Sequence, residues 1–110
     1  MINNKDYCDY ETCVALKELG YPLFSKEVRY EDNAVFVPGV LLYAAQKWLR
    51  EERNLHIEVC YNPSISWYYY HVWKGQDEIA EGDAFPSYED ALNTAIYMAV
   101  EYLKNESNGK

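Results

Sequence analysis

At 110 residues the chain has the length of one ordinary domain, enough to bury about 65% of its unfolded surface without metals or disulfides as staples. Its net charge of −8, from 18 acids against 10 bases, argues against gripping a phosphate backbone, where affinity comes from Lys and Arg displacing counterions. The three cysteines, Cys8, Cys13 and Cys60, contain no CxxC pair, which argues against a disulfide framework and reads as reduced thiols of a cytoplasmic protein.

The opening residues Met1 to Asp6 carry no hydrophobic run, so no secretory signal is expected. A first helix is expected from about Tyr7 to Leu19, where Cys13, Leu16 and Leu19 recur at three-residue steps and Val14 and Ala15 widen the stripe. On one helix Cys8 and Cys13 would point in different directions. Gly20 is placed to cap the helix, and Pro22 stops it. Two short β-prone runs, Glu27 to Tyr30 and Ala34 to Val37, flank the polar Glu31-Asp32-Asn33 and suggest a small hairpin.

Pro38 sits where a second helix can begin. Leu41, Ala45, Trp48 and Leu49 follow at helical spacing, with Gln46, Lys47, Arg50, Glu51 and Arg53 mostly opposite, so an amphipathic helix ends near Arg53 or Asn54. From Leu55 to Tyr61 the pattern alternates: Leu55, Ile57, Val59 and Tyr61 point one way, His56, Glu58 and Cys60 the other. Asn62-Pro63-Ser64 breaks the chain, and Ile65 to Trp73 reads as a second long strand. After Gly75-Gln76-Asp77, Glu78 to Glu81 suggests a short third strand that Gly82-Asp83 closes. Ser87 and Asp90 resemble a capping box, and Leu92, Ala95, Ile96, Ala99 and Leu103 mark the face of a last helix whose alanines permit close approach to a sheet. Residues 1–104 therefore read as a single α+β domain of order α-β-β-α-β-β-β-α. Its two layers are an antiparallel sheet and helices on one face. Residues 105–110 read as a flexible polar tail.

The functional content lies in the Ile65 to Trp73 strand, aromatic on both sides. Tyr68, Tyr70 and Val72 are expected to join Ile57 and Val59 in the core. Trp67, Tyr69, His71 and Trp73 then stand outside, beside His56, Glu58 and Cys60. Trp and Tyr offer large rigid contact area and are enriched where proteins bind proteins, and exposed patches of this kind mark interfaces. Trp67, Tyr69, His71, Trp73, His56 and Glu58 are accordingly the candidate partner-binding residues, for a protein partner or for self-association. A loop or the first hairpin covering this face is the alternative.

Catalytic and cofactor chemistry has little support. His56, Glu58, Cys60 and His71 contain zinc-ligand types on one face, but at no recognised spacing, so no metal or cofactor is expected. A Cys60–histidine nucleophile is the one thiol candidate, against Cys60 as a small half-buried hydrophobe. The glycines form no phosphate loop. The acids Asp77, Glu78, Glu81, Asp83, Glu89 and Asp90 read as a solvated turn and a helix start, where negative charge is favoured. Residues from about 40 to 104 follow the α-β-β-β-α order of double-stranded-RNA-binding domains. The start of the last helix, where those domains hold phosphates with bases, carries Ser87, Glu89 and Asp90 here, so direct nucleic-acid binding is not expected. Stacking of single strands on Trp67 or Trp73 would lack a basic groove. No stretch approaches the roughly 20 apolar residues of a membrane span.

Two runs carry a resemblance: Gln46-Lys47-Trp48-Leu49-Arg50-Glu51-Glu52-Arg53-Asn54-Leu55-His56-Ile57-Glu58-Val59 and Ser87-Tyr88-Glu89-Asp90-Ala91-Leu92. Together they resemble a family of short proteins carried by gut bacteria and their phages or mobile elements, a family with no established activity. The resemblance implies a mobile-element setting, where small acidic proteins act as inhibitors or antitoxins, and it supplies no catalytic residue. Gly82-Asp83 with Tyr88-Glu89-Asp90-Ala91-Leu92 is also similar to the end of HicB-type antitoxins, whose partial double-stranded-RNA-binding fold closes with such a turn and helix. The additional N-terminal helix and hairpin, and the lack of room for a DNA-binding tail, depart from that pattern.

Overall fold

The computed structural model describes residues 6–22, 27–30 and 35–108, with side chains described over 6–22 and 39–106. Along the described chain run α1 (Tyr10–Leu19), β1 (Glu27–Tyr30), β2 (Val35–Pro38), α2 (Leu42–Arg53), β3 (Leu55–Asn62), β4 (Trp67–Lys74), β5 (Asp77–Phe85) and α3 (Tyr88–Asn108). The α+β class and the expected element order are both present.

Helix α1 starts later than its periodicity suggests because Asp9 takes the N-cap: its Oδ1 accepts from Thr12 N at 2.9 Å. Asp9 also ties α1 to α3, its N–H donating to Asn93 Oδ1 and its Oδ2 accepting from Asn93 Nδ2, both at 2.9 Å. Cys8 therefore precedes the helix, and its N–H donates to Val40 O at 2.7 Å. Cys8 and Cys13 do not diverge as two positions of one helix would. Both are buried, with Cys13 Sγ donating to Cys8 O at 3.5 Å. Burial pushes the Cys8 thiol far above the usual cysteine range. Gly20, in the left-handed region at φ 99°, closes α1 and donates to Leu16 O and Lys17 O.

Strands β1 and β2 pair antiparallel from Glu27↔Pro38 to Tyr30↔Val35, and the expected turn at 31–33, with Ala34, lies outside the described residues. Pro38 ends β2 and does not open α2. At a strand terminus its missing N–H breaks no interior ladder. Asn54, left-handed at φ 55°, ends α2.

The second sheet has the order β3-β4-β5, antiparallel throughout. Its inner face supplies Leu55, Tyr70 and Val72 to a core shared with Leu16, Leu49, Leu92, Ala95, Ile96, Ala99 and Val100, with Ile57, Val59 and Phe85 packed against it. All three helices bury residues in that one core, so they lie on one side of the sheet. Ala91, Ala95 and Ala99 are fully buried along α3, which packs against α1, α2 and all three strands. Ser87 Oγ accepts from Asp90 N at 3.1 Å, which caps α3.

Three boundaries differ from the sequence reading for local reasons. Strand β4 begins at Trp67 because Asn62 Oδ1 accepts from Ser64 N at 3.1 Å and folds Ile65 into the turn. Strand β5 runs through Gly82-Asp83 to Phe85, so these residues form no closing turn. Helix α3 continues through Glu106 to Asn108 where a tail is expected. Lys74 Nζ and Tyr102 Oη each donate to Glu106 Oε2 at 3.1 Å, which anchors that last turn to β4. The Lys74 ammonium is held above its ordinary range chiefly by that hydrogen bond.

Gly82 stands opposite Tyr70, and a Cβ there would lie 2.5 Å from Tyr70 Cε2 and 2.8 Å from Cζ. The ring occupies the space a side chain would need. Gly82→Ala is expected to destabilise the fold by about 1–3 kcal/mol through overpacking, read as a lower urea midpoint. In a Tyr70→Leu background the same substitution is expected to cost measurably less, because its clash partner is gone.

Candidate functional site

Residues directly opposite in an antiparallel pair share a sheet face. The β3–β4 register sets His56 across from Trp73, Glu58 from His71, Cys60 from Tyr69 and Asn62 from Trp67. The side turned away from the helices thus gathers Trp67, Tyr69, His71, Trp73, His56 and Glu58. Trp67 is 40% exposed and the neighbouring Ile65 53%, while Tyr69, His71 and Trp73 are half-buried against one another. The Tyr69 and His71 rings meet edge to face at 5.5 Å, and the His71 and Trp73 rings lie 6.0 Å apart. Trp73 Nε1 donates to Glu58 Oε1 at 3.4 Å. His56 is exposed and lies at the rim, its Nε2 3.2 Å from Asn54 Oδ1.

Strand β5 adds carboxylates to this face through an irregularity. Glu81 stands across from His71 and Glu78 across from Trp73. In a regular strand, residues three apart point to opposite faces. Here Val72 faces Ala80 while Trp73 faces Glu78, so Ile79 is an extra residue, a β-bulge. Ile79 and its neighbour Ala80 both pack toward the core. Glu78 and Glu81 consequently emerge on the same side, with Glu78 Oε2 in contact with His71 Nδ1. One donor atom from each of His71, Glu78 and Glu81 lies within 4.8 Å of the other two.

A groove of about 460 Å³ runs beside this cluster, with Ile65, Trp67, Tyr69, His71, Glu81 and Asp83 among its lining residues. A second irregularity lies between Tyr68 and Tyr70 of β4, where Ala84, which lines the groove, takes a positive φ of 69°. Of the acids on the strands of this sheet, Glu81 and Asp83 line the groove itself, with Glu58 and Glu78 on the same outer face beside it. The groove is aromatic, and its charged lining residues are acids with no Lys or Arg among them.

The hydroxyl of Tyr69 is held above the ordinary tyrosine range, first by a hydrogen bond with the Cys60 side chain, then by the charge of Cys60, by desolvation and by Glu58. Burial, with Glu81 beside it, raises Tyr70 as well. Cys60 thus faces a phenol and has no histidine directly across from it, so the register does not set up a Cys60–histidine nucleophile. The zinc-type set drawn from His56, Glu58, Cys60 and His71 is likewise not the one whose donor atoms converge. The convergent set keeps only His71 and takes Glu78 and Glu81, which the sequence reading assigns to a solvated turn. No residue type in the Glu78 to Glu81 run announces a bulge.

No protein-family model, no curated protein and no solved structure matches the chain. Among the described residues no helix is long and apolar enough to cross a membrane.

The Tyr69–Cys60 contact has a measurable consequence. Tyr69 is expected to stay protonated at a pH where freely exposed tyrosines are half ionised, at about pH 10. Cys60→Ala is expected to move its midpoint down, and Glu58→Gln to move it down by less. Ring-carbon chemical shifts followed through a pH titration would measure both.

Proposed function

We propose that the protein is a non-catalytic interaction module whose open sheet face takes a basic segment of a partner protein. The observation that carries this reading is the composition of that face: Trp67, Tyr69, His71 and Trp73 interleaved with Glu58, Glu78 and Glu81. Aromatic faces attract Lys and Arg side chains by about 0.5–2 kcal/mol each, more as the pair is desolvated. The surrounding carboxylates complement the same cations and speed the encounter. Few ligand classes use both features at once, and a lysine- or arginine-rich polypeptide is one that does.

The same charges weigh against self-association through this face. In a two-fold contact each patch meets its own copy, so Glu58, Glu78 and Glu81 would face like charges with only histidines to offset them. They weigh equally against a nucleic acid, whose phosphates need bases. An acidic inhibitor that occupies the basic surface of a nucleic-acid-binding protein is the special case of this reading that the resemblance to mobile-element proteins favours.

Titration calorimetry with lysine- and arginine-rich peptides is expected to show binding that weakens steeply with salt, while acidic peptides do not bind. Trp67→Ala combined with Trp73→Ala is expected to weaken that binding at least about tenfold, with the folded circular-dichroism spectrum retained. Salt-insensitive binding, or full affinity in the double variant, would remove the proposal. A dimeric mass in light scattering that falls to monomer in the double variant would replace it with self-association.

A further inference from the structure

We propose that His71, Glu78 and Glu81 form a binding site for a divalent transition-metal ion of the zinc class. The donor types are an imidazole nitrogen and two carboxylate oxygens, a three-ligand set that leaves a coordination position open. Zinc takes such ligands at about 2.0–2.2 Å, which puts them about 3.5 Å from one another in a tetrahedral shell. The three donors already lie within 4.8 Å of one another, so closure on an ion requires side-chain adjustment only, with no movement of the sheet.

The convergence is built by the backbone. Without the extra residue at Ile79 the strand's alternation would turn either Glu78 or Glu81 toward the core. A simple His71–Glu78 ion pair needs neither Glu81 nor the bulge. On the opposite side of His71, Glu58 stands directly across the ladder and accepts from Trp73 Nε1. The two ligand carboxylates would balance the charge of a divalent cation, on a sheet whose one base is engaged elsewhere. His71 and Glu81 also line the groove, so the cluster borders it. The mixed nitrogen and oxygen set selects zinc-like ions over magnesium and calcium, which prefer oxygen alone.

The test is calorimetry on chelator-stripped, full-length protein with Zn²⁺ alone, then with Mg²⁺ and with Ca²⁺. Wild type is expected to bind one Zn²⁺ per chain, with Mg²⁺ and Ca²⁺ at least about a hundredfold weaker. His71→Ala and Glu81→Gln are each expected to lose at least about tenfold in Zn²⁺ affinity, while Cys60→Ser and His56→Ala retain it. Ring-nitrogen shifts of His71 are expected to report coordination through Nδ1. The substituted side chains lie on the outer face of the sheet and outside the core cluster, and a retained circular-dichroism spectrum with a cooperative melt confirms that each variant folds. Absence of Zn²⁺ binding by wild type would overturn the site, as would full affinity in both His71→Ala and Glu81→Gln. Loss in Cys60→Ser would move the metal to the thiol, and equal Mg²⁺ binding would reduce the cluster to an unselective acidic patch; either result also ends the proposal.

Discussion

The phase of strand β4 decides everything on the open face. Side chains alternate with a period of two, so a slip of one residue would exchange the sets 68, 70, 72 and 67, 69, 71, 73 between core and solvent. The strand itself is nearly indifferent, being aromatic on both sides. Its neighbours are not. Leu55, Ile57 and Val59 on β3 have no competing apolar set, and Gly82 on β5 leaves room for one ring alone, that of Tyr70. The opposite phase would carry His71 under α3, where an imidazole without hydrogen-bond partners costs several kcal/mol. Tyr70 and Val72 go inward because the alternatives are excluded on three sides, and His71 and the two tryptophans go outward as a consequence.

The bulge at Ile79 is a second constraint, independent of the first. It lets β5 send two consecutive apolar residues, Ile79 and Ala80, toward the core, and it brings a second carboxylate onto the outer face. An edge strand must also avoid pairing with other chains, and bulges and charges are the usual means. On β5 both occur together. On the opposite edge, α2 shields β3, with Gln46 Nε2 donating to Ile57 O at 3.2 Å. The sheet thereby offers its face more readily than its edges, which suits recognition through side chains over strand addition.

Elements governed by one residue's chemistry or by a clean period were legible in the sequence: the Gly20 cap, the alternation of Leu55 to Tyr61, the stripe on α2, the Ser87 cap and the alanines of α3. The phase of β4 was legible for Tyr70 and Val72, because the unambiguous phase of β3 could be transferred across a hairpin; Tyr68, expected in the core with them, is only half-buried and lies outside it. What escaped depends on partners distant in sequence. Asp9 starts α1 with help from Asn93. Glu106 keeps α3 helical by reaching Lys74. Gly82 stays within a strand because Tyr70 covers it. The convergence of Glu78 and Glu81 on His71 escaped for a sharper reason. Strand periodicity assigns residues three apart to opposite faces, and only the pairing partners reveal the inserted residue.

The aromatic groove and the His71–Glu78–Glu81 cluster share residues, and that sharing couples the two proposed ligands. A basic segment is attracted by the carboxylates that a cation would neutralise, and Glu81 belongs to both the groove wall and the donor set. If the face takes both, a bound cation removes about two negative charges from the patch and weakens the basic partner. Reciprocity then requires the partner to weaken the cation by the same factor. The face would act as an exchanger between a metal-bound, less acidic aromatic surface and a metal-free, more acidic one. Its two states would differ in charge without any movement of the sheet, since the bulge that creates the overlap lies in the backbone and stays the same in both.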